Sequence, residues 1–159
     1  ATNILNRESG ENPYILHENL QELMQNNVGI VRTQTLLTRG LNNLKELWNK
    51  YKVIKADGTS QFNPGWHEAL ALRNMLITSE AVTQAALMRE ESRGAHTRVD
   101  FPDEQEGWLK YNIVIKKNNE GTMSAEKVLR NEPITELKRI ANLTIEEMEA
   151  EIKVEQSGV

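Results

Sequence analysis

Asn63-Pro64-Gly65-Trp66-His67-Glu68-Ala69-Leu70-Ala71-Leu72-Arg73-Asn74-Met75-Leu76-Ile77-Thr78-Ser79-Glu80-Ala81-Val82-Thr83-Gln84-Ala85-Ala86-Leu87-Met88-Arg89-Glu90-Glu91 is the stretch whose reading decides the fold. Asn followed by Pro is a helix-start signal: the asparagine caps, and the proline tolerates the first helical position because its missing N–H would be unpaired there anyway. A helix is predicted from about Gly65 to Glu91. From Trp66 to Arg89, fourteen of twenty-four residues are apolar, and they do not keep to one stripe. A helix apolar on most sides needs burial on most sides. The two partner helices of a small bundle would leave part of that surface uncovered.

Those two partners lie upstream. Asn12-Pro13 repeats the start signal, and a helix is predicted from about Pro13 to Asn27 with Leu16, Leu20, Leu23 and Met24 as its stripe. Gly29 suits a left-handed position after its end. The next helix is predicted from about Thr33 to Val53. Its Leu37, Leu41, Leu44, Trp48 and Tyr51 are spaced 4, 3, 4, 3, the seam of a helix packing along another at a shallow angle. Lys55 to Phe62 reads as a loop turning at Asp57-Gly58.

Downstream the period changes. Trp108 to Lys117 alternates, with Leu109, Tyr111, Ile113 and Ile115 on one face, which predicts a strand. Asn118 to Gly121 is a turn, and Thr122 to Leu129 returns as the second arm of a hairpin. Thr144-Ile145-Glu146-Glu147 has the form of a capping box, so a short acidic helix is predicted to carry Ile145, Met148 and Ile152. The expected architecture is mainly α: a three-helix up-down bundle of spectrin-repeat type, a β-hairpin extension and a short C-terminal helix. The expected division is a flexible linker at 1–12, the bundle at 13–91, an Arg/His loop plus hairpin at 92–130, and an acidic tail at 131–159.

Composition removes several chemistries. The chain has 159 residues, a net charge of −4 and no cysteine. Disulfide scaffolds, thiolate zinc sites, iron–sulfur ligation and cysteine nucleophiles are therefore out. No apolar run approaches the roughly 18 residues of a membrane span, and the first residues lack the apolar core of a signal peptide. Mild acidity with scattered Lys and Arg argues against nucleic-acid binding. Neither a Gly-x-Gly-x-x-Gly nor a Walker loop is present. His17, His67 and His96 form no metal-like cluster, and His17 and His67 are expected at the surface.

One segment concentrates chemistry-capable groups: Glu91-Ser92-Arg93-Gly94-Ala95-His96-Thr97-Arg98-Val99-Asp100. Arg93, His96 and Arg98 would clamp a carboxylate or phosphate if they faced one ligand, because arginine presents a planar fork of donors. The same groups would equally tie a loop to a neighbouring surface. The residues alone leave both readings open, and Gly94 serves the turn in either.

The longer stretch Met88-Arg-Glu-Glu-Ser-Arg-Gly-Ala-His-Thr-Arg-Val-Asp-Phe-Pro102 closely resembles the Arg-x-Glu-Ser-Arg-Gly-Ala-His-x-Arg-x-Asp-x-Pro segment of the flavoprotein subunit of succinate dehydrogenase and fumarate reductase. Leu20-Gln-Glu-Leu-Met24 with Val28-Gly-Ile-Val-Arg32, Trp66-His-Glu-Ala-Leu70 with Asn74-Met75-Leu76, and Trp108-Leu-Lys110 extend the resemblance over about residues 8 to 130. L-aspartate oxidase carries a similar segment, but Ala95 and Arg98 favour the dehydrogenase/reductase branch. The resemblance implies the C-terminal helical domain of such a protein. FAD and substrate would be held by domains whose motifs do not occur here, so no residue of this chain is assigned a catalytic, cofactor-binding or metal role. Glu91, Ser92, Arg93, Gly94, His96, Arg98 and Asp100 become a domain-docking motif.

The implied partners are the flavin-binding domain of the same polypeptide and an iron–sulfur subunit, with the parent cytoplasmic and peripheral on the inner face of the membrane. The uncovered side of the third helix is expected to face the flavin domain, or to be buried in a homo-oligomer. Two other functions compete: an autonomous carboxylate-binding module built on Arg93, His96 and Arg98, and a helical adaptor read through residues 144–155.

Overall fold

The computed structural model describes residues 2–157. It divides into two compact units, residues 1–128 and 129–159.

The first unit is built on three helices: α1 (Pro13–Val28), α2 (Gln34–Lys52) and α3 (Pro64–Met88). Each starts at a capping side chain. Asn12 Oδ1 accepts from the Tyr14 and Ile15 N–H groups (2.9 and 3.4 Å), Thr33 Oγ1 from Leu36 N–H (3.1 Å), and Asn63 Oδ1 from Trp66 N–H (2.9 Å). These bonds satisfy N–H groups that have no partner inside the helix. The core is aliphatic: Leu16, Leu20 and Leu23 from α1, Leu44 and Leu47 from α2, and Ala69, Leu72 and Leu76 from α3. Of the anticipated α2 seam, Leu37 and Leu44 are buried. Leu41, Trp48 and Tyr51 pack at its edge, and Trp48 Nε1 donates to Glu80 on α3 (3.2 Å). Gly40 lets α2 approach the end of α1, since a Cβ there would lie 3.2 Å from Val28 and 3.3 Å from Asn27.

Residues 2–11 are not a flexible linker. Ile4 is buried in the main core, and its carbonyl accepts from Ala56 N–H (3.2 Å). Glu11 exchanges backbone bonds with Val53 and Lys55 (3.1 and 2.9 Å). Arg7 donates to the carbonyls of Lys52 (2.7 Å) and Ile54, serving α2 where its last carbonyls lack helical partners. The polar composition of the segment concealed one isoleucine and one arginine that tie it down.

α3 ends at Met88 rather than Glu91, because its last carbonyls turn to a side chain described below. Its wide apolar surface has a third cover. The hairpin of β3 (Tyr111–Lys117) and β4 (Met123–Leu129) lays β3 against α3, with Tyr111, Ile113 and Ile115 half-buried. The expectation of a bare side on this helix is corrected accordingly: Val82 stays exposed, at 42%, but most of the surplus is covered within the unit. Leu109 lies in a 3-10 turn (Glu106–Lys110) ahead of β3 and is exposed, so it does not share the strand's packed face. His67 is exposed as expected, whereas His17 bridges α1 to Glu68 on α3 (2.5 Å).

A second, parallel pair forms between β1 (Val31–Arg32) and β2 (Thr97–Arg98), with Val31 opposite Thr97 and Arg32 opposite Arg98. It joins the α1–α2 connection to the segment after α3.

In the second unit, α4 (Thr135–Ala141) precedes α5 (Ile145–Ser157). The capping box forms: Glu147 N–H donates to Thr144 Oγ1 (3.2 Å) and Thr144 N–H to the Glu147 carboxylate (2.8 Å). α4 was not anticipated, its Leu137 and Ile140 being too few to set a period.

Candidate functional site: a buried arginine knot

The segment 89–105 folds under the end of α3. Arg93 and His96 exchange backbone bonds (2.9 and 3.0 Å) across a tight turn whose first central residue is Gly94, at φ +58°. That left-handed conformation suits a residue without Cβ. Ser92 Oγ accepts from Arg98 N–H (2.8 Å) and donates to Phe101 O (2.8 Å), closing the loop above the turn.

Two carboxylates, one buried and one at the surface, organise the cluster. Glu91 is 0% exposed. It receives Arg93 Nε on both oxygens (3.2 Å each), Arg93 Nη2 (3.1 Å), Gln105 N–H (3.0 Å) and Arg89 Nη1. Burial alone would raise its pKa; the donors from Arg93, Gln105 and Arg89 outweigh burial and hold the carboxyl below its ordinary value. Asp100 takes Arg98 in a two-bond fork, Nε to Oδ1 and Nη2 to Oδ2, both 2.8 Å, and also accepts Gln34 N–H at the start of α2 (2.8 Å). The Arg98 fork, with that N–H, holds Asp100 well below the usual carboxylate range.

Arg98 is 1% exposed. Its remaining edge, Nη1, donates to the carbonyls of Ala86 (3.1 Å), Leu87 (3.1 Å) and Arg89 (3.2 Å). One guanidinium therefore caps α3, binds the start of α2 through Asp100, and stacks over Phe101 at 4.8 Å. A cation at a helix C-terminus also complements the helix dipole.

His96 sits between two elements. Its Nδ1 accepts from Arg32 Nη1 (2.7 Å), which leaves Nε2–H to donate to the Arg89 carbonyl (3.1 Å). This is the neutral imidazole. Burial, then the charges of Arg32, Arg98 and Arg89, push its pKa below the ordinary value, against the pull of the Arg89 carbonyl. Arg32 in turn donates Nε to Gly29 O (2.7 Å) and Val28 O (3.3 Å) at the end of α1.

All seven residues singled out in the sequence thus meet in one cluster. The cluster is occupied by itself. Arg93 is held by Glu91 and Glu104 (2.9 Å), Arg98 by Asp100 and three carbonyls, His96 by Arg32 and a carbonyl. Free clamping of a carboxylate by Arg93, His96 and Arg98 does not fit this arrangement, nor does a flavin phosphate. Sequence reasoning missed Arg32, Arg89 and the Gln34 and Gln105 N–H groups. Arg32 closes the Val28–Arg32 motif, but nothing local links it to a histidine 64 residues away. Among the described residues no group of three His, Asp or Glu side chains is placed to hold a metal ion, and no helix is long and apolar enough to cross a membrane.

Residues 17–155 match a protein family described as fumarate reductase flavoprotein C-term. The matching polypeptide of the fumarate reductase (CoM/CoB) of Methanothermobacter marburgensis is 38% identical over 111 residues, 70% of this chain and 20% of that protein. The fumarate reductase flavoprotein subunit of Helicobacter pylori is 36% identical over 108 residues, 67% of this chain and 15% of its own length. The structure of Mycobacterium smegmatis Sdh1 in complex with UQ1 superposes with a TM-score of 0.75 at 37% identity, covering 82% of this chain and 22% of that one. The chain therefore spans about a fifth of such relatives. It belongs to the C-terminal domain family of the succinate dehydrogenase and fumarate reductase flavoproteins.

Proposed function

We propose that this chain is the helical docking domain of an FAD-dependent flavoprotein that interconverts succinate and fumarate and passes electrons to an iron–sulfur subunit. The observation that carries the reading is the family match across residues 17–155, in a chain whose concentrated polar groups are all engaged with one another. The flavin would supply the redox chemistry. The Gly-x-Gly-x-x-Gly loop that would hold it is not in this sequence, so the group belongs to the remainder of the flavoprotein. The parent would lie on the cytoplasmic face of the membrane through its partner subunits.

Within this reading Glu91, Ser92, Arg93, Gly94, His96, Arg98 and Asp100 keep the end of the bundle in one shape, and the partner domain meets that shape. Neutral side chains could fill the same space, but a fork of fixed bonds determines where each helix ends. Arg93→Ala in the full-length flavoprotein tests this. Flavin release on heating should begin at lower temperature than in wild type; unchanged retention and unchanged stability would sink the proposal. Calorimetry of the 159-residue chain with succinate, fumarate and malate should show no millimolar binding.

A further inference from the structure

Asn27 and Arg39 form an arrangement that the knot does not use. Asn27 is buried near the end of α1, at 5% exposed, and its Nδ2 donates to Leu23 O (3.1 Å). Its Oδ1 accepts from Arg39 Nε on α2 (2.7 Å). Gly40 allows this meeting, because the close approach of the two helices there sets α2 against Asn27. Burying an amide is costly unless its groups are bonded. Here the bond on the oxygen side goes to an arginine that is itself exposed. The effect is to fix that arginine: with Nε held, the guanidinium is oriented before anything binds to it.

Both Nη groups of Arg39 are left without a hydrogen bond or ion pair among the described residues. The arginines of the knot differ. Arg32, Arg89, Arg93 and Arg98 each direct Nη groups to a histidine, a carboxylate or a carbonyl of this chain. Arg39 lies in the wall of an open cavity along the first turns of α2, with Thr35, Thr38, Asn42, Asn43 and Asp100, and every residue lining it is polar. The Asp100 charge is already balanced by the Arg98 fork and the Gln34 N–H. The charge without a counterpart is that of Arg39, and the start of α2 adds positive potential to it. The cavity therefore fits one anionic group flanked by hydrogen-bonding groups. Asp100 belongs to the knot as well, so the cavity is continuous with the surface read above as meeting the partner domain.

We propose that Arg39 is a docking contact of this domain, its two Nη groups taking an Asp or Glu carboxylate from the surface of the flavin-binding part of the same flavoprotein. The inference rests on the reading under Proposed function and adds the contact and its chemistry. A carboxylate is planar and matches two parallel N–H donors of a guanidinium. Arginine is among the residues that dominate interface energetics, and one oriented beforehand loses little freedom on binding. The hydroxyls of Thr35 and Thr38 and the amides of Asn42 and Asn43 supply donors and acceptors for the polypeptide around that carboxylate.

Cross-linking of the full-length Arg39→Lys flavoprotein tests the occupant directly. A carbodiimide activates carboxylates, and an amine in contact displaces the activating group to leave an amide. Mass spectrometry of the digest should find residue 39 joined to an Asp or Glu of the flavin-binding part. Linkage only to Asp100 or other carboxylates of residues 1–159, linkage only between copies in a covalent dimer, or no linkage would overturn the proposal. Charge reversal gives an independent reading. Arg39→Gln retains an amide donor for Asn27, whereas Arg39→Glu sets a negative charge against the partner carboxylate. The full-length Arg39→Glu protein should release flavin on heating at a lower temperature than Arg39→Gln. That gap should exceed the gap between the same two variants of the 159-residue chain by roughly 2 °C or more. An equal or smaller gap would reduce Arg39 to a structural bond with Asn27 and overturn the contact. Calorimetric binding of inorganic phosphate to the 159-residue chain, lost in Arg39→Gln, would assign the cavity to a small anion and overturn it as well. If both Arg39 variants keep wild-type flavin retention while Arg93→Ala does not, the contact falls and the docking domain stands; if all three keep it, both fall.

Discussion

At one end of the bundle Ile4, Ile54 and Ala56 close the core with apolar atoms, and the polar bonds there run mostly along the backbone. At the other end the closure is ionic: Arg98, Asp100, Glu91, Arg93 and the neutral His96 terminate one helix and hold the start of another. Helix ends must satisfy carbonyls and N–H groups in either case. The apolar end does so with capping side chains near in sequence and with one long reach by Arg7. The ionic end recruits charges from three separate segments. The first solution rests on apolar burial and backbone bonds. The second is specific in shape, and it fails when a partner is removed or changes its protonation.

Breaking the ionic end at its centre should have the largest effect. Arg98→Met removes the ion-pair partner of Asp100 and leaves the Ala86 and Leu87 carbonyls of α3 without this donor. It should cost about 3–5 kcal/mol in urea unfolding of the 159-residue chain, because two carbonyls at the end of α3 each lose a charged donor worth roughly 1.5–3 kcal/mol. A loss below about 1 kcal/mol would show that water replaces the guanidinium freely, and the contrast between the ends would collapse.

The apolar counterpart should be smaller and should not depend on pH. Ile54→Ala removes a side chain that is 1% exposed and should cost about 2–4 kcal/mol, equal at pH 7 and pH 5. A pH-dependent loss would mean the two ends are not energetically separate.

Acid should sharpen the difference further. His96 has a folded pKa below its unfolded value of 6.5, so the unfolded chain takes up the proton first. The stability it contributes is complete above pH 6.5 and is lost as pH falls from there toward the lowered folded value. Asp100, ordinarily near 3.8, and Glu91, ordinarily near 4.5, follow the same sign: their contribution is present above those values and lost below them. Hydrogen exchange between pH 7 and pH 5 should therefore accelerate at residues 92–103 relative to residues 4–11 and 53–56. His96→Gln should remove that first acid response while leaving the one below pH 4.5. Equal acceleration at both ends would refute the assignment.

The smallest expected effect is at a local cap. Asn12→Ala removes the acceptor for the first N–H groups of α1 and should cost about 1 kcal/mol, measured by the same urea unfolding.

What could be read directly from the chain was what is decided within about four residues. The Asn-Pro starts of α1 and α3 and the Thr144–Glu147 capping box all formed as their spacing requires, because donor and acceptor are neighbours whatever the rest of the protein does. The alternation from Trp108 to Lys117 likewise placed a strand, which begins at Tyr111. The Arg/His segment was legible as a concentration of function-capable groups and not as a geometry: its residues left open both a ligand clamp and a tie from the loop to a neighbouring surface.

The amino-acid sequence by itself determined the three bundle helices and α5, the hairpin and the family. Tertiary structure decided where α3 stops, what covers its extra apolar side, that residues 2–11 belong to the core, and that the arginines bind their own carboxylates and carbonyls. These outcomes depend on pairs such as Arg32 with His96, or Asp100 with Gln34, which are 64 and 66 residues apart. Burial and charge pairing act on whichever groups the packed helices bring together, and no local period records that choice.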